Sequence, residues 1–132
     1  MIKITKELID TIIGVSKNVY PDEFIGLLRK NNRDEISTLL VIPNSTYGQG
    51  FSSIRYDMLP LDPESCGSIH SHTIGSARPS SADLRFFSRM GEVHLIIAHP
   101  FTLDTLRVYD FRGRELEFEV VKDSAGPPKR NI

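Results

Sequence analysis

Cysteine is almost absent from this 132-residue chain, with Cys66 standing alone. A lone thiol excludes an intrachain disulfide and any zinc site built on cysteine pairs. Charge of one sign is missing as well. The 16 Lys and Arg against 17 Asp and Glu leave no basic surplus of the kind that binding a phosphate backbone requires, so nucleic acid is not an expected partner. Long apolar runs are lacking too, and nothing approaches the roughly 18 consecutive apolar residues of a membrane span. The amino terminus, MIKITKELID, alternates charges where a secretory signal has an unbroken apolar stretch, and the chain is expected in the cytoplasm, away from membranes. There is no internal repeat, no glycine-rich phosphate loop, no H-E-x-x-H helix and no C-x-x-C pair. If a metal is bound, histidine and carboxylate must hold it.

What is present suits one globular domain, with 39% hydrophobic and 25% charged residues. Thr5 can cap a helix, and Leu8, Ile12, Val15 and Val19, widened by Ile9 and Ile13, form a stripe that predicts an amphipathic helix over residues 6–18. Tyr20-Pro21-Asp22 ends it. EFIGLLRK then reads as a buried strand, joined through NNRDE to a second strand at 36–42. PNSTYGQG collects turn formers, and its Tyr47, Gly48 and Gly50 form a loop that could touch a substrate; FSSIRYDML is strand-like, and Pro60 and Pro63 mark a connection. Further strands are expected at 67–72, 93–98, 105–111 and 115–121, the last two joined by Arg112-Gly113, with a helix at 80–90. The order is that of an α/β domain built on a mixed sheet with helices packed on it. The polar tail from residue 122 to 132 is expected to be flexible.

One stretch, GSIHSHTIGSARPSSADLRFFSRM, raises a chemical question. On an extended strand His70 and His72 project from the same side, roughly 6 to 7 Å apart at Cα, which allows both imidazoles to reach one ion. Asp83, a helical turn after Ser80, can supply a third ligand, and two histidines with one aspartate leave a tetrahedral position open, as catalytic zinc sites do. The plain alternative is a polar strand followed by a capping box, with Ser80 as N-cap and Asp83 at N3. His94 and His99, five residues apart, fit neither a strand face nor a helix pair and read as structural. Cys66 reads as a small buried hydrophobe, with a disulfide between two copies in a homodimer as the lesser alternative.

The joint spacing, His70-Ser71-His72, then seven residues, then Ser80-Ser81-Ala82-Asp83, resembles the JAMM (MPN+) metalloprotease motif. PDEFIGLL resembles the first strand of that family, its acidic residue falling on Glu23, and Gly67 and the Pro79-Ser80 dipeptide also fit. The resemblance covers residues 21–98. Thr73 stands where members commonly carry proline, and the connecting loops are short beside the ubiquitin-gripping insertions of the eukaryotic deubiquitinases. The resemblance implies a single MPN-type, cytidine-deaminase-like domain over residues 1–121. It implies Zn2+ on His70, His72 and Asp83, with Glu23 as general base and acid and Ser80 as oxyanion stabiliser. The implied activity is a zinc metallopeptidase or isopeptidase cleaving amide or isopeptide bonds at the carboxyl end of ubiquitin-like or sulfur-carrier β-grasp proteins. Iron or manganese also suits such a donor set. A metal-free MPN scaffold that binds partners is the alternative, as is a DNA-repair-associated relative, which the neutral charge balance disfavours.

Overall fold

The computed structural model describes residues 1–42 and 63–122. The loop at 43–50, the strand-like stretch at 51–59 and the tail from 123 onward lie outside the described residues. A mixed sheet orders its strands β7-β6-β5-β4-β2-β3-β1-β8 and curves until it is nearly closed. Its strands are β1 (Ile2–Thr5), β2 (Ile25–Lys30), β3 (Ile36–Val41), β4 (Ser65–His72), β5 (Val93–Ala98), β6 (Leu106–Asp110), β7 (Glu115–Leu116) and β8 (Phe118–Val121). Helices α1 (Lys6–Val19) and α2 (Ser81–Phe87) cover opposite faces.

α1 forms where the apolar stripe predicts it. Thr5 Oγ1 accepts the Leu8 N–H at 3.2 Å, which satisfies one of the open donors of the first turn. Leu8, Ile9 and Ile12 then pack with Phe24, Leu28, Ile69, Leu95 and Ile97. The second face carries Ile25, Leu27, Ile96, Ala98 and Tyr109 under Phe86 and Phe87. Strands covered on both faces read as continuous apolar runs, which is why IGLLRK and VHLIIA show little alternation.

β4 and β5 run parallel from Gly67↔Val93 to His72↔Ala98, with α2 as the crossover between them. β2 lies antiparallel on the other side of β4, and its ladder reaches Ile25↔His70. The carboxyl end of β4, the start of β2 and the amino end of α2 therefore meet at one edge of the sheet. At the opposite end of β4, Gly67 approaches β5 so closely that an added Cβ would overlap the Val93 carbonyl.

Three elements differ from the sequence reading. β1 was not anticipated; four residues are too few to show a period, and the strand is held by parallel pairing with β8 from Ile2↔Phe118 to Thr5↔Val121. α2 stops at Phe87 rather than Met90, because Arg89 and Met90 turn back to the Phe86 and Phe87 carbonyls and Gly91 takes φ 112° to bring the chain into β5. The stretch 115–121 is split: Glu115–Leu116 completes a hairpin with β6, and Phe118–Val121 leaves it to pair with β1. No helix among the described residues is long and apolar enough to cross a membrane.

Candidate metal centre

β4 carries His70 and His72 out of the same face, and α2 brings Asp83 over them. His70 Nε2 and His72 Nε2 lie 3.0 Å apart. Asp83 Oδ1 is 3.2 Å from His70 Nε2 and Asp83 Oδ2 is 3.2 Å from His72 Nε2. With bonds of about 2.0 to 2.2 Å to zinc, the donor atoms of a tetrahedral site stand about 3.3 to 3.5 Å apart along each edge. The separations between the two Nε2 atoms, and between each Nε2 and its nearer Asp83 oxygen, come close to that figure. The ligand atoms of the three residues all lie within 4.8 Å of one another, and two imidazoles with one carboxylate match the donor chemistry of an open zinc site. His70 and Asp83 are only 1% and 2% exposed, so a divalent cation would compensate the charge of a buried carboxylate.

The hydrogen bonds around the trio orient it. His72 Nδ1 lies 2.8 Å from the Ser76 carbonyl, an acceptor only, so Nδ1 carries a proton and Nε2, which faces Asp83 and His70, is the nitrogen that would serve as a metal donor. α2 supplies the rest through its cap. The Asp83 N–H donates to Ser80 Oγ at 3.1 Å and the Ser80 N–H donates to Asp83 Oδ2 at 2.7 Å. The capping box is thus real and the cluster is real. One carboxylate serves both, since Oδ1 stays turned to His70 while Oδ2 holds the cap. A helix of seven residues is too short to persist alone; Phe86 and Phe87, both fully buried, pin it to the sheet.

Burial pushes the His70 pKa down to about 4 against the opposing pull of Asp83, so this ring is neutral at physiological pH. Burial opposes protonation of His72 as well, but the bond and charge of Asp83 and the Ser76 carbonyl outweigh it and raise the pKa above 6.5. Burial would raise Asp83, yet its bonds to both imidazoles and the Ser80 N–H hold it well below the usual carboxylate range. A cation must displace any proton on His72 Nε2. Zinc affinity is therefore expected to weaken as pH falls below the His72 pKa, by about tenfold per pH unit for one displaced proton. Zinc titrations between pH 8 and pH 5.5 check this, and a flat profile would remove His72 from the ligand set.

Glu23, half-buried and two residues ahead of β2, accepts the Thr73 N–H on Oε2 at 3.2 Å. Its charge also contributes to the raised His72 pKa. Ser80 is exposed; its Oγ takes the Asp83 N–H and its own proton remains available to donate. All five residues singled out in the sequence thus gather at one edge of the sheet. Sequence reasoning missed the Ser76 carbonyl, for which no side-chain signal exists. It also missed Ser71, whose hydroxyl, on the face opposite the histidines, takes the Phe24 N–H at 2.9 Å.

The other two histidines stand apart. His94 is buried, stacks on Phe87 with centroids 4.3 Å apart, donates from Nε2 to the Gly91 carbonyl at 2.9 Å and accepts the Ser68 hydroxyl on Nδ1 at 2.7 Å. Both its nitrogens are used, as a structural histidine requires. His99 stacks on Tyr20 at the surface, with centroids 4.8 Å apart. Cys66 is half-buried beside the core, and burial raises its thiol pKa. A cleft of about 370 Å3 borders the loop between β4 and α2, lined by Ser76, Arg78, Ala98, His99, Arg107 and Tyr109 among others. A larger depression of about 660 Å3 lies between Met1, Arg107 and Phe118, and neither hollow is lined by any of the five.

A curved mixed sheet that presents a His-x-His strand to the capping carboxylate of a following helix defines a metalloprotease-type α/β domain. The chain belongs to the prokaryotic homologs of the JAB domain, whose family pattern matches residues 5–111, and thus to the JAMM (MPN+) proteins. A Haloferax volcanii protein named "Probable metalloprotease" is 31% identical over 138 aligned positions, covering 98% of this chain and 85% of that one. A solved structure of JAMM, a metalloprotease-like zinc site in the proteasome and signalosome, superposes with a TM-score of 0.73 at 32% identity, covering 92% of this chain and 99% of the other. A JAB1/MPN domain protein from Archaeoglobus fulgidus gives 0.72 at 32% identity, over 91% and 97%.

Proposed function

We propose that this chain is a zinc-dependent peptidase or isopeptidase that cleaves at the carboxyl end of a small ubiquitin-like or sulfur-carrier protein of the β-grasp type. The observation that carries the chemistry is the convergence of His70, His72 and Asp83, whose ligand atoms lie within 4.8 Å of one another, with Glu23 near His72. Zinc held there supplies Lewis acidity, lowering the pKa of a water toward about 7 and polarising a carbonyl. The chain's own residues do the remainder. Glu23 accepts the proton of the attacking water and passes it to the departing amine, which sets its carboxylate within roughly 2.6 to 3.2 Å of both in the reacting complex. The Ser80 hydroxyl donates to the carbonyl oxygen as it gains negative charge. Asp83 fixes both imidazoles, and Ser76 fixes the tautomer of His72.

The substrate class is supported by form. A β-grasp protein presents its carboxyl terminus as an extended tail, and the cluster of His70, His72 and Asp83 lies where the carboxyl end of β4 and the amino end of α2 meet. The connections described between strands are short, without the long insertions by which eukaryotic relatives grip ubiquitin. The protein is read as cytoplasmic, acting on protein rather than nucleic acid or membrane, with a homodimer through Cys66 as a lesser reading.

The test incubates the zinc-loaded chain with the β-grasp proteins of its own host, each supplied with a carboxyl-terminal peptide extension and as a lysine conjugate, and follows products by mass spectrometry. Cleavage after the terminal residue of one such protein is expected. Hydrolysis of unrelated peptides at equal rates would refute the substrate class, and partner binding by metal-free protein without cleavage would favour the scaffold.

A further inference from the structure

The antiparallel ladder between β2 and β4 reaches Ile25↔His70, and beyond that pair its pattern changes. The Ser71 N–H still donates to the Phe24 carbonyl at 3.1 Å. The return bond runs to a side chain instead, from the Phe24 N–H to Ser71 Oγ at 2.9 Å. The next bond joins main chain to side chain again, from the Thr73 N–H to Glu23 Oε2 at 3.2 Å. Phe24 is 1% exposed and packs in the α1 core. Its neighbour in an extended segment faces the other way, toward the histidines. Glu23 is therefore tied at its backbone through Phe24 and Ser71 and at its carboxylate through Thr73, all within the segment that carries both histidines.

We propose that the main-chain N–H of Thr73 is a positioning group for the Glu23 carboxylate. A glutamate with three free torsions samples many orientations, and a misplacement of about 1 Å can cost about 100-fold in rate. A donor on Oε2 restrains the carboxylate plane. Ser71 acts one step behind, holding Phe24 and so the backbone from which Glu23 projects. Proline at position 73 would have no N–H and would exclude this bond.

The inference rests on Glu23 as the base, and its test separates the two. Amide exchange in the metal-free, 15N-labelled protein reads the bond without any turnover. The Thr73 amide is expected to exchange at least about tenfold faster in Glu23→Ala than in the parent chain; equal protection in both would overturn the inference. Turnover of a β-grasp protein with a carboxyl-terminal extension reads the consequence. At equal zinc content, Thr73→Pro is expected to lower kcat by about ten- to 100-fold with little change in KM, while Thr73→Ala, which keeps the N–H, restores it. If Thr73→Pro turns over as fast as Thr73→Ala, or faster, while Glu23→Gln is inactive, positioning by Thr73 is refuted and the base stands. Undiminished turnover by Glu23→Gln would refute both.

Discussion

Glu23→Gln is expected to keep the fold and the metal and to lose hydrolysis by a factor of about 10² to 10⁴, the usual contribution of a general base. The substitution is nearly isosteric, and the carboxamide oxygen can still accept the Thr73 N–H that the carboxylate accepts at 3.2 Å. Glu23 stands outside the group formed by His70, His72 and Asp83, so zinc content should remain at one ion per chain. Only the ability to take a proton is removed. Metal analysis, thermal unfolding and product formation from the same preparation make the comparison, and undiminished turnover would remove Glu23 from the mechanism.

Asp83 offers the second large effect, because one carboxylate holds the cap and also faces both imidazoles, and different substitutions separate the two. Asp83→Ala removes the acceptor of the Ser80 N–H, bonded at 2.7 Å, together with the negative charge facing both imidazoles. Asp83→Asn keeps an oxygen for the cap and removes only the charge. Both are expected to lose more than about 100-fold in zinc affinity, beyond the effect of disturbing an outer partner, and to be inactive. The alanine variant alone should lose a further 1 kcal/mol or so of stability from the broken cap. Unfolding with and without zinc distinguishes them: the parent chain is expected to gain stability from added zinc, and neither variant should. A zinc-dependent rise in Tm for Asp83→Asn equal to that of the parent would leave Asp83 as a cap only.

The capping box that Ser80-Ser81-Ala82-Asp83 predicts and the grouping of Asp83 with His70 and His72 occur together in the fold. Local chemistry predicts the capping box from four residues, and the box is there. No local rule says that the outer edge of the same carboxylate will face a strand eleven positions earlier. That is decided by the parallel docking of β4 and β5, which makes α2 a crossover and aims its first turn at the carboxyl end of β4. Ser71 shows a similar limit. Its place between two histidines marks it as facing away from them, but its task of receiving the Phe24 N–H depends on where an antiparallel ladder stops.

The sequence by itself determined the elements with strong periods or strong caps: α1 from its stripe and Thr5, the buried strands from their apolar runs, the β2–β3 and β6–β7 hairpins from their turns, and His70 and His72 on a common face from the pleat. It also carried the family, through residue types at fixed spacing. Tertiary structure alone decided β1, which is too short to announce itself and lies between β3 and β8, and the split by which Phe118–Val121 leaves β7 to pair with β1. It alone placed Glu23 beside His72 and gave His72 its tautomer through a backbone carbonyl. The physical reason is common to all of these. Propensity and periodicity act over one turn or one pleat, whereas bringing Glu23 to Thr73 closes a loop of fifty residues, and only the packing of a complete sheet between two helices holds such a loop shut.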